Sequence, residues 1–126
     1  RDHGGRPFTA GDISVTPVRV EHATVETYGY VFRADGRSFG YVPDIKRLPE
    51  DSAPLLTGLD ALAMDGLCFP EHHTHLTVDQ NIALMRRLAP RLGYVTHSGH
   101  RLDYDELAAY LPDFMSPAYD GLRVDL

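Results

Sequence analysis

The strongest constraint in this chain is the dipeptide Asp35–Gly36, set between two runs of strand-forming residues, 28–34 and 37–42. Asp-Gly in that setting predicts a type I′ hairpin, because both central residues must take positive φ. The second arm ends at Pro43–Asp44. Upstream, Ile13, Val15, Val18 and Val20 mark a strand interrupted by Pro17, which implies an edge position or a bulge. That strand delivers Glu21–His22. Residues 1–11 are Gly-rich and polar and read as a linker or a loop leading into a domain at 12–126.

From residue 59 onward the pattern changes. Residues 46–58 form a Pro-containing loop with a short helical turn, and Leu59–Met64 reads as a buried strand followed by Asp65–Gly66. After the cluster Glu71-His72-His73-Thr74-His75, Thr77 and Gln80 make a capping box. Ile82, Met85, Leu88 and Ala89 then mark one helix face as far as Pro90. Gly93–Thr96 is a short strand ending in His97. Asp103 with Glu106 opens a second helix, stopped by Pro112, and Leu122–Leu126 reads as a terminal strand. Strand, polar loop and helix in alternation predict an α/β fold.

Composition narrows the function classes. With 126 residues the chain can build one domain around one core. A net charge of −6 with scattered basic residues argues against a broad nucleic-acid surface, which needs clustered Lys and Arg. Cys68 stands alone, so neither a disulfide framework nor a thiolate-rich zinc site is expected. No apolar run reaches the roughly 20 residues of a membrane span, and no signal peptide is visible. A cytoplasmic protein is the expectation. The first residue is Arg1 rather than Met, so the true N-terminus is expected elsewhere.

The chemistry gathers just after strand-like runs, at His22, Asp44, His75 and His97. Groups at strand ends share one edge of a sheet, where open α/β sheets place ligands. Asp44, directly after a strand and a rigid Pro, suits a carboxylate bridging two cations; Pro-Asp is equally an ordinary turn pair. His97 lies in Thr96-His97-Ser98-Gly99-His100, a tight loop rich in imidazole and hydroxyl groups, and loop polarity alone would account for it. His22 alone reads more readily as a surface or satisfied histidine than as a ligand. Contiguous histidines rarely all hold one ion, so one of His72–His75 is expected to be functional. No P-loop or dinucleotide turn is present.

Taken together, V-R-V-E-H (18–22), G-Y-V-P-D (40–44), G-L-D-A-L-x-M-D (58–65), H-x-x-H-L-T (72–77), Y-V-T-H-x-x-H (94–100) and A-Y-D-G-L (118–122) resemble the C-terminal half of the metallo-β-lactamase superfamily. The likeness is strongest to its phosphoribosyl cyclic phosphate phosphodiesterase branch, from the carbon–phosphorus lyase pathway. It covers nearly the whole chain from residue 12. The fold it implies is half of an αββα sandwich. The site it implies has His22, Asp44 and His97 on two divalent ions, Mn²⁺ or Zn²⁺. His75 would face the scissile phosphate as general acid or phosphate contact. His72, His100 and Asp120 would support the site or touch substrate. The implied reaction is cleavage of a small cyclic or diester phosphate by a hydroxide bridging the metals.

One departure is large. Family members carry an upstream H-x-H-x-D-H, and nothing here matches it. Activity is therefore expected only with that N-terminal half present. The face where it would pack predicts dimerisation or poor solubility. The competing expectations are a related hydrolase acting on RNA, a thioester or a lactam, and a non-catalytic or partner-dependent α/β module. The negative net charge weakens the RNA version.

Overall fold

The computed structural model describes residues 6–22, 25–65, 76–96, 104–118 and 122–126. Asp35 and Gly36 take φ of 53° and 73°, as the type I′ turn demands. They join β3 (Val25–Ala34) to β4 (Arg37–Val42) as an antiparallel pair. β2 (Ile13–His22) pairs with β3 in unbroken register from Ser14↔Arg33 to His22↔Val25, so Pro17 sits in no bulge. It occupies the stretch of β2 beyond the reach of β1 (Phe8–Ala10), which covers only Ile13–Val15. A missing N–H costs least there.

Within the stretch read as linker or entry loop, residues 8–10 form a strand, β1, while 1–5 lie outside the described residues. Phe8–Ala10 form a strand because Gly11, at φ 63°, turns the chain back onto β2. The buried strand of the next unit is β5 (Ala61–Asp65), shifted from the expected 59–64. Asp60 is held back from it: its Oδ2 accepts the Ser38 amide at 2.8 Å. A short 3-10 turn at Ala53–Leu56 precedes it.

Beyond β5 lie α1 (Val78–Leu88), β6 (Leu92–Thr96), α2 (Tyr104–Tyr110) and β7 (Met115–Pro117). The Thr77–Gln80 capping box is present in both directions. Ala89, expected on the helix face, instead caps it, exposed and left-handed at φ 52°. Pro90 ends the helix here, since the residue before a proline is disfavoured in the right-handed α region, and in the left-handed cap the Ala89 amide still donates to Met85 O. Residues 122–126 form no strand; Val124 and Leu126 line a surface cavity of about 380 Å³ with Ile13 and Phe32.

The strands make one mixed sheet in the order β1-β2-β3-β4-β5-β6-β7, antiparallel as far as β4 and parallel from β4 to β7. One face bears Val18, Val20, Val31, Val42, Leu62, Met64 and Val95, which form the core with Met85 and Leu88 of α1 and Leu107 of α2. Gly40 keeps this face close-packed, because a Cβ there would lie 2.8 Å from the Cδ1 atoms of both Leu59 and Leu62. The other face presents Tyr30 and Tyr41, 37% and 41% exposed, with Phe32 and Phe39 stacked between cross-strand neighbours at 6.2 Å. No helix among the described residues is long and apolar enough to cross a membrane.

Candidate active site

Strand direction decides what meets at the site. β2 runs parallel in space to β4, because each is antiparallel to β3, and β5 and β6 follow β4 in parallel. The C-terminal ends of β2, β4, β5 and β6 therefore share one edge. His22 ends β2, Asp44 follows β4 by two residues, Asp65 ends β5 and Thr96 ends β6. Ligands gather at such an edge because the loops there leave backbone groups and polar side chains unconsumed by the sheet.

Two of the expected residues can be placed. Beyond Val42 the chain crosses to β2, and Glu21 pairs with Arg47 as an isolated antiparallel bridge. Three backbone hydrogen bonds hold it: Glu21 N to Arg47 O at 3.0 Å, and Lys46 N and Arg47 N to Glu21 O at 2.7 and 3.2 Å. The Arg47 guanidinium adds a forked pair to the Glu21 carboxylate, at 2.9 and 2.8 Å. That hydrogen bonding, reinforced by charge, holds the Glu21 carboxyl below its usual range. The neighbours of His22 and Asp44 are thus tied together, and both side chains are half-buried.

The Asp44 loop is also anchored inward. Ile45 is fully buried, its carbonyl accepts Leu76 N at 2.9 Å, and its amide donates to Asp65 Oδ2 at 3.5 Å. Lys46 Nζ reaches Gln80 Oε1 at 3.4 Å, linking the loop to the cap of α1. Sequence reasoning passed over Asp65, Asn81 and the Glu21–Arg47 clamp. Asp65 alone had a visible signal, as a carboxylate ending a wholly apolar strand.

His72, His75, His97, His100 and Asp120 lie outside the described residues. Among the described residues no group of three His, Cys, Asp or Glu side chains gathers as a metal site. The donor types of His22 and Asp44, imidazole nitrogen and carboxylate oxygen, suit divalent zinc or manganese. Two such groups are too few to hold a cation by themselves, so they fit as part of a larger set.

Comparison with known proteins agrees with this architecture. Residues 3–98 match the model of the beta-lactamase superfamily domain. The fold superposes on the crystal structure of a diphosphatase from the PhnP family with a TM-score of 0.90 and 32% identity, over 97% of this chain and 47% of that one. Zn²⁺-bound PqqB from Methylobacterium extorquens gives 0.82 and 22% identity, over 97% and 54%. An octanoyltransferase of Porphyromonas gingivalis (strain ATCC BAA-308 / W83) is 25% identical over 119 residues, 93% of this chain and 23% of that protein. The chain spans about half the length of the solved structures and about a quarter of this curated relative. On its family match and its sheet topology, the chain belongs to the beta-lactamase superfamily and carries part of the metallo-β-lactamase fold.

Proposed function

We propose that the protein is a metal-dependent hydrolase of small phosphate esters, with a cyclic or diester phosphate as the favoured substrate. One observation carries this reading: His22 and Asp44 come to the same strand edge, clamped through Glu21 and Arg47. The likeness to a PhnP-family diphosphatase supports the phosphorus-centred substrate class. His22, Asp44 and His97 would hold two divalent cations, Mn²⁺ or Zn²⁺, together with groups outside this chain. When bound, the cations would make a water acidic near neutrality and offset charge on the phosphoryl oxygens.

The chain's own groups do the rest. The backbone beside Asp44 is held by buried Ile45 and by the bridge at Lys46 and Arg47, so its carboxylate would need little reorganisation to bind. His75 would donate a proton to the departing oxygen, and His72, His100 and Asp120 would orient the groups around it.

The half-open aromatic face of the sheet favours a second reading, in which the module works only when another segment or a second copy completes it. Intact mass with bound-metal analysis, made on the protein from its own gene, tests both. About two metals per chain, with hydrolysis of bis-p-nitrophenyl phosphate lost in Asp44→Ala, is the expected result. No metal and no hydrolysis would overturn the catalytic reading. Turnover of RNA or a thioester in place of the diester would keep the hydrolase and change its substrate.

A further inference from the structure

We infer that Asp65 is a positioning residue for Asp44, acting through the Ile45 amide and itself set in place by Asn81; this rests on the role proposed for Asp44. Asp65 is wholly buried, an expensive place for a carboxylate unless it has work as an acceptor. It ends β5 beside the point where β4 has run out, since Val42↔Met64 is the last pair between them. One step further, Asp65 Oδ2 accepts a hydrogen bond from the amide of Ile45, the residue after Asp44. At 3.5 Å this contact is long, so its strength depends on how firmly the end of β5 is held.

Asn81 supplies that firmness. It is fully buried on α1, and its Nδ2 donates to the Met64 carbonyl at 3.0 Å and to the Asp65 carbonyl. The amide can point only this way, because reversing it would set Oδ1 against two carbonyl oxygens. Three elements are thereby joined at one spot. α1 grips the end of β5, the end of β5 grips the Asp44 loop, and the loop's Ile45 carbonyl accepts Leu76 N just ahead of α1. The circuit closes around the backbone of Ile45, the residue next to Asp44, and so bears on how Asp44 is oriented.

This role needs an acceptor on residue 65 and no charge. An amide oxygen accepts as a carboxylate oxygen does, so Asp65→Asn should keep the arrangement and Asp65→Ala should lose it. The test is amide hydrogen exchange at Ile45, together with calorimetric Mn²⁺ binding, on the protein from its own gene. Asp65→Ala should raise Ile45 exchange by about 10-fold or more and weaken Mn²⁺ by about 10- to 100-fold, the range found for residues supporting metal ligands. Asp65→Asn should leave both near wild type. Should Asp65→Ala fail to fold, Asp65→Ser carries the same test, being polar but too short to reach the Ile45 amide.

Equal damage from Asp65→Asn and Asp65→Ala would overturn the inference, since the charge itself would then be required. Unchanged Ile45 exchange in Asp65→Ala would overturn it as well. Asp44→Ala separates the inference from the reading beneath it. If that variant binds Mn²⁺ as wild type does, Asp44 is no ligand and the proposed function falls, whatever Ile45 exchange shows.

Discussion

The two faces of the sheet obey different rules. The helix-covered face is aliphatic and closed: Val18, Val20, Val42, Leu62 and Met64 are fully buried, and Gly40 leaves room for Leu59 and Leu62 to touch the strand. The opposite face is aromatic and half-open, with Tyr30 and Tyr41 exposed beside Phe32 and Phe39. A covered face draws its stability from packing within this chain. A half-open aromatic face holds burial in reserve, which only another surface can complete.

Substitutions should separate the faces sharply. Leu62→Ala on the covered face should cost about 2–5 kcal/mol by urea unfolding, through lost transfer energy and the cavity left behind; a loss similar to that of an open-face change would erase the distinction. Asn81→Ala, where α1 meets the sheet edge, strands the Met64 and Asp65 carbonyls. It should cost about 1–3 kcal/mol in the same measurement. Thr77→Ala removes half of the capping box of α1 and should cost about 0.5–2 kcal/mol. Tyr41→Thr on the open face should change stability by no more than about 0.5 kcal/mol. Its visible effect should be weaker self-association, read by analytical ultracentrifugation.

The smallest effect should be one of pH. The Glu21 carboxyl titrates lower in the folded protein than unfolded because it accepts from Arg47. Its contribution is present above the ordinary carboxylate pKa and fades as pH falls through the lowered value. The Tm difference between wild type and Glu21→Gln should therefore shrink on acidification below about pH 4. A difference that grows on acidification would mean the clamp is not what depresses the carboxyl.

Legibility followed the range of the interaction. Asp35–Gly36 announced its hairpin and Thr77–Gln80 its helix start, because in each case a few adjacent residues satisfy their own backbone. Phe8–Ala10 hid inside a Gly-rich stretch, since a short strand gains its hydrogen bonds only from a partner the turn at Gly11 brings back. Leu122–Leu126 alternates like a strand and is not one, for lack of a neighbour to pair with among the described residues. Of the candidate site, His22 and Asp44 were readable as polar groups after strands and are found at one edge. His72, His75, His97, His100 and Asp120 lie outside the described residues. Asp65 was visible as the acid ending an apolar strand but was given no role, and Asn81 was not singled out, because a buried amide differs from an exposed one only by what surrounds it.

By itself, then, the sequence determined what is local: the hairpin, the capped helix, the α/β alternation and the types of donor atom on offer. Tertiary structure alone decided the parallel order β4-β5-β6-β7, the crossing that pairs Glu21 with Arg47, and the buried contact between Asp65 and the chain beside Asp44. The reason is separation along the chain. Glu21 and Arg47 are 26 positions apart and Ile45 and Asp65 are 20 apart, so no local propensity encodes either meeting. Both arise because burying the aliphatic face of the sheet leaves these strand ends side by side.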